Sequence, residues 1–563
     1  MKWYWHVLSF ILLLWTLGGL NVLLLQDIPQ LLFGCVVIGL VCTPMDWLQS
    51  HYPKKHWKPI LFGFIWMSGC FAGIFAALVF IIPPFAISPQ TTYLTEPRSK
   101  EFYGIDYPSV IEKELDPGVP TEDNGFRLLI ETFGRPLCGT EFKDKYWHRL
   151  CQYLDLPVDL RPLLSFVDWY AYTETLTPEE QEIAKTSHQE HVLPWSEEAM
   201  PLIRQWLDEN DAALDLFVFA IQKPVLYAPP MFEEPLVNSI LFYDEQCRAM
   251  VRNLQVRVHY RLAIGKIDEA WDDVFAMYRL SEHHRRAVWI MVSSLVNASI
   301  MGIANKSAES VVIHSDWTAD EILEKMEKIA PFQQPFQEDE IRYIIRNERF
   351  SALDFQTNMA NGTYELGDLY CQEPPLAPNS WEQFKSKAVM RSFRLGLAMV
   401  VMNQYFDGME QRYYNDEPEP DDTPNADNVL KAFAWYGHGA LPVVIGELMS
   451  RLLSPAVGAW RTALKRSQAE NLLLHFMFAL EAYQRDHDGN YPATLKDLRG
   501  RYLAEIPLDP FSGGSFRYIL EESGFLLYSV GPNGIDDEGR GNGDTPKGDD
   551  IRRRMPIVTE SQS

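Results

Sequence analysis

The sequence predicts a mainly α protein with transmembrane helices at its amino end, a helical extracytoplasmic domain, and a small α+β module at its carboxy end. Three observations predict it. The first 85 of 563 residues hold long apolar runs with only four lysines and two aspartates, so the remainder, with 46 basic and 74 acidic residues, carries a formal charge of −28. Apolar residues then recur at helical spacing through the middle of the chain, and two short alternating runs near the end read as a β-hairpin. The composition excludes a wholly disordered chain, a collagen-like one and a disulfide miniprotein. The acidic remainder argues against nucleic-acid binding by bulk electrostatics. Four segments follow: 1–85 as a membrane anchor with three spans, 86–235 as a proline-rich lead-in and helical region, 236–455 as a helical domain, and 456–563 as the terminal module.

Within the anchor, Trp3 to Leu25 and Ile60 to Ile82 are uncharged runs of 23 residues, each long enough to cross about 30 Å of hydrocarbon as a helix. Ile28 to Trp47 is read as the third span, although Thr43, Pro44 and Asp46 leave a re-entrant or interfacial segment open. Trp3, Trp5, Trp47 and Trp57 fall near the expected span ends, where amphipathic rings settle. Lys54, Lys55 and Lys58 mark their loop as cytoplasmic, as Lys2 does the amino terminus, so everything after Ile82 is expected outside. A non-crossing middle segment would reverse that assignment. The first run is too long for a signal-peptide core and lacks a small-x-small site, so it is read as retained.

Seven prolines between Pro83 and Pro120 predict an extended, turn-rich lead-in. The most regular helical patterning runs from Tyr243 to Val312. It breaks at Gly265, with Asp268 as the expected cap of the next helix. The run Tyr260 to Leu280 has the pattern of one tetratricopeptide-type hairpin, but no second copy recurs at a fixed period, which favours an ordinary antiparallel pair. Further helices are expected over Asp320–Ile329, Glu338–Met359, Ser380–Tyr414 and Val429–Leu453, with an acidic loop at Asn415–Asn428. Cys138 and Cys151 could close a short disulfide loop; with Cys247 and Cys371 they could equally be unrelated buried thiols.

In the terminal module, a helix over Ser467–Tyr483 places Leu472, Leu473, Phe476, Ala479 and Leu480 on one face. Strands are expected at Phe516–Leu520 and Phe525–Val530, followed by a Gly/Asp-rich loop. The residues Ala479-Leu480 with Tyr483, Gly489, Tyr491-Pro492, Leu495, Asp509-Pro510, Tyr518, Tyr528-Ser529, Gly531-Pro532 and Asp550-Ile551 occur in the order that resembles the globular part of the major pseudopilin of type II secretion systems. Two departures stand out: no leader with a hydrophobic pilin-type helix precedes Ser467, and Asn533 occupies a position where that family usually has Asp. The outer part more broadly resembles large uncharacterised membrane proteins of planctomycete-type bacteria. Its matching segments are Gly265 to Asp273, then Glu348, Arg349, Leu353 and Asp354, then Asn403, Tyr405 and Asp407. That resemblance implies no activity.

Six glycines and a dense set of carboxylates lie within Gly531–Asp550, an arrangement suited to a hard cation that takes six to eight oxygens. The pseudopilin resemblance implies Ca²⁺ there. Asp536, Asp537, Asp549 and Asp550 are the expected ligands, with main-chain carbonyls supplying the rest, against the plainer reading of a solvated acidic turn. The EF-hand spacing is absent. Elsewhere, His188 and His191 form H-x-x-H without a third ligand, His283 and His284 are adjacent and so point apart, and Glu348, Arg349 and Asp354 suggest an internal ion-pair cluster. No nucleophile elbow, P-loop or dinucleotide fingerprint is present.

Together these readings describe a bacterial inner-membrane protein with a cytoplasmic amino terminus and a large periplasmic domain. Its expected partners are the lipid bilayer and envelope or secretion-system proteins, and its expected role is binding or scaffolding around a type II secretion or pilus-like assembly. The alternative is an envelope hydrolase with a site in the helical domain.

Overall fold

The computed structural model describes residues 85–139, 142–189, 195–361, 395–415, 457–522 and 524–556. They form thirteen α-helices and one three-stranded sheet. The helices are α1 (Tyr107–Leu115), α2 (Gly125–Phe133), α3 (Asp144–Tyr153), α4 (Trp169–Glu174), α5 (Pro178–Gln189), α6 (Met200–Ile221), α7 (Phe242–Ala263), α8 (Ile267–Arg286), α9 (Met291–His314), α10 (Ala319–Ile329), α11 (Glu338–Asn361), α12 (Leu395–Asn415) and α13 (Val457–Asp486). The strands are β1 (Arg517–Glu521), β2 (Gly524–Ser529) and β3 (Ile551–Met555). Among the described residues no helix is long and apolar enough to cross a membrane. The three expected spans lie outside the described residues, as do the Val429–Leu453 helix and the 416–428 part of the acidic loop.

Helices α7, α8 and α9 pack on one another and realise the periodic region. The turn between α7 and α8 is closed by a Schellman pair: the Lys266 N–H donates to Arg261 O (2.8 Å) and the Gly265 N–H to Leu262 O (3.0 Å), satisfying two end carbonyls of α7. Because that motif positions Ile267 as the first residue of α8, Lys266 is its N-cap without a side-chain bond. Asp268 therefore sits inside the first turn, where its charge meets the helix dipole, and does not cap it. At α10 the expected start is displaced by one residue, and Thr318 and Glu321 form a reciprocal capping box.

The lead-in is less extended than its prolines suggest. It contains α1, with a proline in the first turn, the helical position that needs no N–H. Asp106 caps it by accepting the Ser109 N–H (3.1 Å).

Two apolar cores result. One gathers residues from α2, α3, α6 to α10, α13 and the sheet. The other gathers Ile105, Tyr107 and Ile111 with α11, α12 and the start of α13. Helix α13 thus runs through both, Val457 and Trp460 in the second and Leu473, Phe476 and Leu480 in the first. It starts ten residues before the expected Ser467, because Trp460 is buried and its indole N–H donates to Ser294 Oγ on α9 (2.7 Å). At thirty residues it spans about 45 Å.

The sheet order is β1-β2-β3, all antiparallel, with Tyr518 opposite Leu527 and Leu527 opposite Arg553. Its β1–β2 hairpin lies within a residue of the expected bounds. Strand β3 is an addition that the alternation of residues did not announce.

Candidate metal centre

The β2–β3 connection begins from a fixed point. The Ser529 hydroxyl donates to Asp509 Oδ1 (2.7 Å) and the Val530 N–H to Asp509 Oδ2 (3.3 Å), so a buried aspartate orients the exit of β2. The loop then folds back on itself at close quarters. A Cβ at Gly531, whose φ is +69°, would lie 2.3 Å from Asp549 O, and one at Gly548 would lie 2.3 Å from Arg540 O and 2.8 Å from Asp537 Cβ. Only glycine permits these approaches, and they bring residue 537 against residues 549 and 550.

The outcome is a set of three carboxylates, Asp537, Asp549 and Asp550, each offering an oxygen within 4.8 Å of the others. Backbone and amide donors hold the outer oxygens. Asp549 Oδ2 accepts the Asn533 N–H (2.9 Å), Asp537 Oδ2 accepts the Asn533 side-chain amide (3.0 Å) and the Asp549 N–H (3.2 Å), and Asp550 Oδ2 accepts the Gly539 N–H (2.8 Å). The inner oxygens, Oδ1 of Asp549 and Oδ1 of Asp550, are buried without a hydrogen-bond partner. Asp550 is only 5 % exposed. Burial pushes its carboxyl up to about 6, and the neighbouring Asp537 and Asp536 charges add to the rise against the Gly539 N–H.

Of the nearby guanidiniums, Arg552 bonds Asp544 and the Gly539 carbonyl, and Arg540 pairs with Glu538 through one nitrogen while its Nε is buried without a partner. Two orphaned buried oxygens in a glycine cradle with three hard anionic ligands fit a divalent oxygen-seeking cation. Asn533 acts as a donor that ties Asp549 to Asp537.

Of the four expected ligands, Asp536 is not brought to this cluster. Its Oδ1 accepts the Tyr528 hydroxyl (2.9 Å) and the Glu538 N–H (3.1 Å), and its Oδ2 accepts from Arg517 Nε (2.9 Å). It fastens the loop to the outer face of the sheet, while its neighbour Asp537 faces the cluster.

The remaining candidates resolve into structural roles or fall outside the description. His188 lies on α5 and His191 outside the described residues. His283 and His284 point to different partners, Ile221 O (3.0 Å) and Asp244 Oδ1 (3.2 Å). Burial lowers the His283 imidazole to about 4.

The Glu348–Asp354 segment is not one ion-pair cluster. Glu348 Oε1 accepts the Met291 N–H at the start of α9 (2.8 Å), Asp354 Oδ2 accepts the Leu236 N–H (2.8 Å), and Arg349 pairs with Asp407 of α12 (2.6 Å). Asn403 donates to the Gln90 and Thr91 carbonyls (3.0 and 2.9 Å). These motif residues therefore staple distant chain segments onto α11 and α12. Cys138 and Cys151 are free buried thiols, packed into the first core, and no disulfide joins them; burial raises them to about 12 and about 11.

A feature the sequence reading missed lies between α6, α7 and α8. Arg257, 2 % exposed at its side chain, meets Asp273 (2.7 Å), Asp215 (2.7 Å) and Asp211 (2.9 Å), and Arg261 meets Asp273 (2.7 Å). The signal was present as i,i+4 pairs on three helices: Asp211 and Asp215, Arg257 and Arg261, Glu269 and Asp273. A cleft of about 710 Å³ opens beside them, lined also by Asp272 and Arg279.

No family model, curated protein or solved structure matches the chain. The site therefore rests on its own geometry.

Proposed function

We propose that the chain is a membrane-anchored extracytoplasmic binding or scaffolding protein whose pseudopilin-like terminal module holds Ca²⁺ between Asp537, Asp549 and Asp550. On this reading the protein sits in a bacterial inner membrane with the large domain in the periplasm, which the uncharged runs Trp3–Leu25 and Ile60–Ile82 and the lysines between them support. Its partners are then the lipid bilayer and components of a type II secretion or pilus-like assembly. The observation that carries the cation is that two of the three clustered carboxylates, Asp549 and Asp550, each keep one buried oxygen without a hydrogen-bond partner. A scaffolding role accords with the way the motif residues of α11 and α12 are spent on tying segments together.

Two measurements test this reading. A reporter fused after Ser563 should read out on the periplasmic side; a cytoplasmic readout overturns the topology. Thermal unfolding of the full chain should shift upward with Ca²⁺ over chelator, by an amount equivalent to about 2.7 kcal/mol at a hundredfold excess over Kd. An unchanged midpoint overturns the cation.

A second reading, an envelope hydrolase, is favoured by the cleft beside Arg257, whose lining includes Asp272 and Arg279. It requires hydrolytic turnover that Asp272→Asn abolishes without loss of fold.

A further inference from the structure

We infer that the cation cluster regulates whether the sheet is docked on the helical body, with β3 as the latch; this rests on the cation reading above. The cluster and the dock are consecutive in the chain. Asp549 and Asp550 immediately precede Ile551, which is 5 % exposed in the first core. Arg553, three residues beyond Asp550 and so about 10 Å along the strand, places its Nε 2.9 Å from Glu309 Oε2 on α9. That pair is deeply placed, with side-chain exposures of 14 % and 7 %. Lys306 and Glu470 are the other charged groups acting on Glu309. The Arg466 guanidinium on α13 reaches Asp549 O at the limit of hydrogen bonding (3.5 Å).

β3 is an edge strand held by its ladder with β2, by packing against α13, by Ile551 in the first core and by the Arg553 contact, and the cluster adjoins its first residue. When the cluster holds a divalent cation, the three carboxylates are drawn together and Ile551 enters the core in register. When it is empty, three like charges within 4.8 Å repel. Any separation that displaces the Asp549–Asp550 end, against its bonds to Asn533, Gly539 and Arg540, is passed directly to Ile551. Ile551 and Arg553 then leave together, and Glu309 is left buried without its counter-ion, a state that favours opening of the dock. The regulating ligand is thus a divalent cation, and what it controls is the contact between two parts of one chain.

Hydrogen exchange of the full chain tests this, with Ca²⁺ against chelator. Calcium should slow exchange at least tenfold in peptides covering 532–550, 551–555 and the Glu309 turn of α9. Asp549→Asn should abolish all three responses. In Glu309→Gln with Arg553→Met, calcium should still protect 532–550 while α9 no longer responds. Protection of 532–550 in the unmodified chain with α9 unchanged overturns the latch and leaves cation binding standing. An α9 response that persists in the double variant overturns the route through Arg553. No response anywhere, with no thermal shift, overturns both readings. The unmodified chain decides the first and last cases, whatever the variants' stability.

Discussion

In the helical body, Asp273, Glu348 and Asp354 are buried and each meets a donor from another element: the Arg257 guanidinium, the Met291 N–H and the Leu236 N–H. In the β2–β3 loop, Asp549 and Asp550 also have buried oxygens, but one on each has no donor at all. The two regions show two ways of tolerating a carboxylate out of water. A lone acid can take up a proton, as burial encourages at Glu348 and Asp354 by pushing both up to about 7. Three acids within 4.8 Å have a second route in principle, a shared divalent cation. In the first region each acid is answered by a donor of the fold itself; in the second the acids are gathered with two buried oxygens unanswered.

The largest expected effect breaks the first region. Arg257→Met leaves Asp273 buried without its main partner and should cost about 3–5 kcal/mol in urea unfolding, equally with and without calcium. Next, Glu348→Gln keeps an acceptor for the Met291 N–H but cannot ionise. Because the folded pKa of Glu348 is raised, its contribution is fully present below about pH 4.5 and is lost as pH rises through about 7. The variant should therefore be near neutral at pH 4 and more stable than the parent at pH 8, by up to about 3 kcal/mol. Unfolding curves at the two pH values would show a constant difference if the reasoning is wrong.

The smallest effects sharpen the second region. Asp549→Asn should remove the calcium-induced thermal shift. Asp536→Asn, which only loosens a half-exposed pair with Arg517, should keep that shift and cost no more than about 1 kcal/mol. Equal loss in the two variants would return Asp536 to the ligand set.

Much of the architecture was legible because it is periodic. The helices α7 to α9 repeat their apolar residues over long stretches with little proline, and the β1–β2 hairpin alternates around a short turn. What escaped was hidden by charge or by direction. β3 reads Ile-Arg-Arg-Arg-Met, and its inward Arg553 pairs with a glutamate distant in sequence, so no apolar alternation marks it. The density of acids in Gly531–Asp550 located the candidate site, but composition does not say which of two adjacent aspartates turns inward. Asp536 and Asp537 are separated only by loop geometry that Gly531 and Gly548 impose. Similarly, the early start of α13 depends on Trp460 finding Ser294, a contact between elements far apart in the chain.

The placement of α13 in both cores also bears on how the chain is made. Helices α9 and α10 present the faces against which α13 packs, yet α13 is completed about 160 residues after α10 ends. At about 5–20 residues per second that is a wait of roughly ten to thirty seconds during synthesis. Until then those faces lack the cover that α13 gives them, and a nascent product cut short before Val457 would never gain it. A copy cut short within α13 would leave apolar surface of α9 and α10 in water, the kind of patch that recruits other proteins.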